Sequence, residues 1–364
     1  MSEEQLMQFS KLENSKERLA HFAFLIAAVL GSTIPANAAS FAAPVVFATG
    51  AAVNSTAVDS VTYANGSLWV EYSNGAASNN YTGSSTIVQY STTGAVQGRQ
   101  SLGGNVDGLK YNPNTGMLWA LENQDGNSLL SIINPTTRGV STFMYGAPYT
   151  NVSGSRGFDD VAFIGNNVYL SQTNPASPAD AVVVQLNNST PTTPIGFSTV
   201  QTGTGILATD PDSLKSTPTG GLVLTGEGDH ALTFITNPGS ATQSASSVKL
   251  IGAGGATIGS PDDSIYATAS SGTFYLTDTS ANTVYAISAT GLIPNSSLFV
   301  NVGNEFGSVD PTTGIVTSIM TGTGLHGLEF VPTAAAVPEP STLGIGFAGI
   351  GLGGLAMLRR RFAK

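Results

Sequence analysis

An aspartate returns five times along the 364-residue chain, each time followed by a small or acidic residue and then an apolar one. The copies are Asp59-Ser60-Val61, Asp107-Gly108-Leu109, Asp159-Asp160-Val161, Asp212-Ser213-Leu214 and Asp263-Ser264-Ile265, spaced by 48, 52, 53 and 51 residues. A sixth copy, His326-Gly327-Leu328, comes 63 residues later with histidine in the aspartate's place. Carboxylates drawn to one point attract a hard cation such as Ca2+, which takes six to eight oxygen ligands. The same aspartates have a purely structural reading. An Asp ahead of a strand caps a turn by accepting a backbone N–H two residues on, and a repeated fold needs that turn every time. His230, in the acidic loop Gly226-Glu227-Gly228-Asp229-His230, is with His326 one of two histidines between residues 39 and 332. Brought together they would serve as acid and base or as metal ligands; apart they are ordinary polar side chains.

Positioning such a ring requires a repeated element, and the rest of each unit recurs in order. A second strand follows the aspartate: Leu68-Trp69-Val70, Leu118-Trp119-Ala120, Val168-Tyr169-Leu170, Gly221-Leu222-Val223 and Phe274-Tyr275-Leu276. Its exits add Glu71, Glu122, Gln172, Glu227 and Asp278 to the candidate ring. A third strand then runs into a hairpin of turn formers, among them Ser91-Thr92-Thr93-Gly94, Asn134-Pro135-Thr136-Thr137 and Asp310-Pro311-Thr312-Thr313-Gly314, and a fourth strand follows. Long stretches of 3.6-residue apolar periodicity are absent between residues 39 and 332.

Four short strands repeated about every 50 residues make an all-β fold of the β-propeller kind, in which radial closure buries the blade faces against each other. The stretch from residue 39 to 332 divides into six blades. Seven blades, a pair of β-sandwiches or a β-solenoid are the alternatives the same strands allow. The late position of His326 predicts ring closure in which residues 45–48 share a blade with residues 328–331. Trp69, Trp119 and Tyr169 would stack on sugars if exposed, but second-strand positions point to packing between blades.

Composition removes whole classes of function. The chain has no cysteine, which excludes disulfides, thiolate catalysis and thiolate metal sites. Its formal net charge of −10 opposes a phosphate backbone, so no nucleic-acid partner is expected. Between residues 39 and 332 there are six basic against 18 acidic residues, a formal charge of −12. Gly-x-Ser-x-Gly, Walker and His-Glu-x-x-His patterns are absent.

Both ends of the chain read as addresses. Residues 1–38 have the form of a signal peptide for the Sec translocon, with the apolar run His21 to Leu30 and the small triplet Ala36-Asn37-Ala38 before the cut. Residues 333–342 form a linker containing Pro338-Glu339-Pro340, residues 343–358 an apolar helix, and residues 359–364 a basic tail with Arg359, Arg360 and Arg361. The run from Ser341 to Leu358 is about 27 Å long as a helix, enough to cross an inner membrane, with the arginines held in the cytoplasm.

This tail resembles the PEP-CTERM sorting signal of Gram-negative bacteria: a Pro-Glu-Pro motif, one hydrophobic helix and terminal arginines. The resemblance covers about 25 residues. It implies recognition of Pro338-Glu339-Pro340 by an exosortase, removal of the tail, and delivery to the cell surface or an exopolysaccharide matrix. The blade pattern is similar to that of bacterial propellers of the SMP-30, NHL and virginiamycin-lyase kind, without a diagnostic motif that would assign catalytic residues. Two functions stay open: a non-enzymatic surface or matrix protein that binds or supports, and a secreted propeller enzyme of lactonase or lyase type using a channel cation.

Overall fold

The computed structural model describes residues 38–149 and 156–333. The expected signal peptide up to residue 37, the expected sorting motif Pro338-Glu339-Pro340, the apolar run after it and Arg359 to Arg361 lie outside the described residues. Among the described residues no helix is long and apolar enough to cross a membrane.

Six sheets of four or five strands, antiparallel except where the short strand Ile251–Gly252 pairs in parallel with Ile315 and Val316 at the edge of the fifth, are arranged as the blades of a propeller. In the first four blades the strands run from the axis outwards in chain order, the innermost being Val58–Ala64, Val106–Asn112, Phe158–Ile164 and Pro211–Ser216. The second strands are the most buried, with every residue of Ser67–Tyr72 and Leu222–Gly226 covered, because blades press on both of their faces. Outer strands such as Val96–Gly103 face water and alternate with it. Trp69, Trp119 and Tyr169 are all buried in second strands, so they pack between blades and are unavailable to a ligand.

The core is divided by interface. One apolar cluster joins Trp119 and Leu121 of the second blade to Phe158 and Val161 of the third, and each of the other five junctions has a cluster of its own. The sixth lies between the last blade and the first, joining Tyr275 and Val284 to Val61 and Val70. That cluster closes the ring.

The fifth and sixth blades depart from the simple order. Pro261–Tyr266, the innermost strand of the fifth blade, pairs with Leu298–Val302 and not with the strand that follows it in the chain. The two intervening strands, Ser271–Asp278 and Thr283–Thr290, belong to the sixth blade, whose innermost strand is Leu325–Pro332. Val45–Thr49 and Ser40–Phe41 complete that blade on the outside. The N-terminal strands and the last strand thus share one sheet, and the two final blades are interleaved in sequence. The expected pairing of the Asp263 strand with Phe274-Tyr275-Leu276 is corrected accordingly: residues 274–276 pair with residues 328–330.

Every innermost strand carries a β-bulge at the same place. The register slips between Val58 and Val61, Val106 and Leu109, Phe158 and Val161, Pro211 and Leu214, Pro261 and Ser264, and Leu325 and Leu328. Two residues then stand opposite one, which bends the strand and re-aims its side chains. Side chains of the second strands clasp the bulge carbonyl of the next blade: Thr225 donates to Asp262 O at 3.0 Å, while Thr277 donates to Asp59 O and Asn301 to His326 O. The approach is tight enough that a Cβ on Gly108 or Gly327 would collide with the carbonyl of Asp159 or Asp59.

Candidate functional site at the channel mouth

The first bulge residues of the six blades are Asp59, Asp107, Asp159, Asp212, Asp262 and His326. All six line a cavity of about 380 Å3 at one end of the channel, joined by Asp125, Asp210 and Glu227 from the surrounding loops. The sequence expectation for the fifth blade is off by one residue: Asp262, not Asp263, occupies the ring. Asp263 takes the second bulge position, one layer deeper, as Asp160 does in the third blade.

The mouth is crowded with like charges. Asp107, Asp159 and Asp212 are held well above the usual carboxylate range by burial first and then by neighbouring carboxylates, chiefly Asp159 at Asp107, Asp125 at Asp159 and Asp262 at Asp212. Burial, with Asp262 and Asp210 nearby, pushes Glu227 up to about 7. One oxygen each from Asp212, Glu227 and Asp262 lies within 4.8 Å of the others. Gln124 donates to Asp107 at 3.1 Å and Thr173 to Asp159, whereas the carboxylates of Asp212 and Glu227 accept no hydrogen bond from a described residue.

The cation among the ring residues is His326. Its Nδ1 stands 3.0 Å from Asp262 Oδ1 and 3.2 Å from Asp59 Oδ1, and the Asp262 charge, against burial, pushes its pKa up to about 12. The imidazole is therefore charged at neutral pH and is not a base there. His230 does not share the cavity with it. It sits in the hairpin after the second strand of the fourth blade with φ of 53°, its N–H donating to Glu227 O and its carbonyl accepting from Leu250 N.

Of the second-strand exits, only Glu227 reaches the mouth. Asp278 is consumed by its own loops, accepting from Thr323 N and Oγ1 at 2.8 Å and from Ala281 N at 2.9 Å. Gln172 accepts from the Tyr149 hydroxyl at 2.6 Å. Glu71 and Glu122 are buried between blades, and burial raises the proton affinity of both.

One layer below the mouth the carboxylates are paired with lysines. Lys215 Nζ stands 2.6 Å from Asp263 and 3.4 Å from Asp160, and Lys110 Nζ 3.6 Å from Asp160. Burial raises the Asp160 carboxyl, but the two lysines and the Val161 and Leu214 amides outweigh it and hold the group below its usual value. Leu328 N and Ser213 Oγ complete the shell of Asp263. These lysines escape sequence reasoning because each lies three residues after a bulge in only two of the six blades.

No family model matches the chain, and no curated relative is found. Solved structures that resemble it include a protein of unknown function from Bacteroides caccae, with 10% identity over 75% of this chain and 86% of that one and a TM-score of 0.49. The periplasmic gluconolactonase of Pseudomonas aeruginosa has 13% identity over 77% and 88%, with a TM-score of 0.45. Virginiamycin B lyase from Staphylococcus aureus has 10% identity over 82% and 90%, with a TM-score of 0.43. The likeness is one of chain path and assigns no residue of the mouth.

Proposed function

We propose that the mouth holds a hard divalent cation of the calcium class and that the propeller is a cation-dependent binding protein for an oxygen-rich ligand. The observation that carries this reading is the convergence of Asp212, Glu227 and Asp262 with two of the three carboxylates lacking a donor among the described residues. Carboxylates so placed repel each other until protons or a cation intervene, and an oxygen-only, irregular donor set suits Ca2+ and leaves coordination positions for water and ligand. The imidazolium of His326 favours binding over histidine acid–base chemistry. A thermal melt in calcium and in chelator tests this. A rise of several degrees in calcium, absent in Asp212→Asn and Glu227→Gln, is expected; equal melts in both media overturn it.

A second reading is a propeller enzyme of lactonase or lyase type, and what favours it is Glu227. A carboxyl that exchanges its proton near pH 7 suits general acid or base work. Hydrolysis of a sugar lactone that is lost in Glu227→Gln even at calcium concentrations that saturate the variant would establish that reading, and its absence would leave binding alone.

Export and surface attachment are part of the proposal. The support is the order of apolar run and small-residue triplet at one end, and of Pro338-Glu339-Pro340, apolar helix and arginines at the other. Glu339→Ala is expected to leave a membrane-bound precursor in cells; normal processing of that variant refutes the sorting role.

A further inference from the structure

The opposite end of the channel is built from the same strands, three and four residues after each bulge, and its chemistry is different. It opens into a second cavity of about 440 Å3, within the 300–1,000 Å3 range of small-molecule sites. Its walls include Tyr63, Tyr111, Phe163 and Tyr266, all only partly buried, and Lys110, Lys215 and Glu329 line it as well. The channel between the two ends narrows to a cavity of about 60 Å3, room for roughly two waters. The second cavity is therefore a blind funnel.

We propose that this funnel binds the terminal residue of a neutral glycan. Aromatic side chains offer flat apolar faces of the kind that cover the C–H face of a sugar ring, while a few polar groups fix its hydroxyls. Lys215 is satisfied by Asp263 and Asp160, whereas Lys110 stands beside Lys215 with Asp160, 3.6 Å away, as its one ion-pair partner among the described residues. Lys110 thus keeps an N–H donor for a ligand hydroxyl. Two lysines balance Asp160 and Asp263, and Glu329 adds a carboxyl, so the floor has no surplus positive charge with which to select an acidic sugar. Burial, opposed by Lys110 and Lys215, pushes Glu329 up to about 7, which keeps the floor close to neutral. A blind funnel admits the end of a glycan and not its middle.

The site is separate from the cation mouth and does not depend on it. The test is binding of the full chain to an array of immobilised oligosaccharides with neutral and with uronate ends, in calcium and in chelator. Expected is retention of neutral-ended glycans in both media, weakened about tenfold in Tyr111→Ala and in Tyr266→Ala, the size of one lost aromatic contact. Should either variant fail to melt cooperatively, Tyr63→Leu, which keeps apolar bulk without an aromatic face, is expected to show the same loss. No retention, retention of uronate ends alone, dependence on calcium, or unchanged affinity in the folded variants overturns the proposal.

Discussion

The two ends of the channel are made from one strand pattern and behave as opposites. At the mouth, the first bulge residues supply five aspartates and one histidine, and the proton affinities of Asp107, Asp159 and Asp212 rise because they are buried beside other carboxylates with no lysine to offset them. One layer deeper, Asp160 and Asp263 meet Lys110 and Lys215, and Asp160 is held below its ordinary value although it is no less buried. Burial alone raises every carboxyl; the partner within 4 Å decides the direction. The charge that the deeper layer has already neutralised is left open at the mouth for a ligand.

The largest effect expected from this contrast is in the deeper layer. Lys215→Met leaves Asp263 buried without its lysine and Asp160 with Lys110 alone, and is expected to destabilise by about 3–5 kcal/mol in denaturant unfolding. A loss below about 1 kcal/mol would show that the layer is not the neutralised plug described above.

At the mouth the corresponding lever is the cation itself. At a free concentration a hundredfold above its dissociation constant, calcium is expected to add about 2.7 kcal/mol. The gain depends on pH with a fixed sign. Asp107, Asp159, Asp212, Asp262 and Glu227 hold protons more tightly in the folded state than in the unfolded one, so stability in chelator falls as pH rises from the unfolded value near 4 through the folded ones, about 7 for Glu227. His326 acts in the same direction: its contribution is complete below about 6.5 and is lost as pH climbs towards its folded value of about 12. The melting temperature in chelator is expected to drop between pH 5 and pH 8, and calcium to restore it at pH 8 far more than at pH 5. A flat profile in chelator would remove the charge crowding from the account.

A smaller effect tests the frame that holds both layers. Thr277→Val removes the donor to the Asp59 carbonyl between the last blade and the first, and is expected to lose about 1 kcal/mol by denaturant unfolding. No change would mean that apolar packing alone closes the ring.

Much of this architecture is legible in the residues. The period of about 50 marks the blades, and the aspartates mark five of six innermost strands, because a bulged strand repeated around an axis needs the same local chemistry each time. Asp262 is missed because the doublet Asp262-Asp263 allows two alignments. The prolines settle it, since Pro211 and Pro261 each precede a ring aspartate directly. The interleaving of the last two blades leaves no local trace: residues 271–278 have the composition of a second strand wherever they pair, and their partner is chosen by the ring as a whole. Lys110 and Lys215 look like solvated surface charges in the sequence, and only the bulge turns them towards the axis. Glu122 and Asp278 stand directly opposite the residue that precedes the bulge and Glu71 one position earlier, whereas Glu227 lies one position beyond it, where the chain leaves the strand for the mouth.

The measurement that reaches the central claim most directly is an anomalous difference map from a crystal grown in a calcium-mimicking lanthanide. The account predicts a single strong peak in the mouth, about 2.3–2.6 Å from oxygens of Asp212, Glu227 and Asp262, and none in the layer of Lys110 and Lys215. A mouth without a peak at saturating metal, or a peak held by other residues, would contradict it.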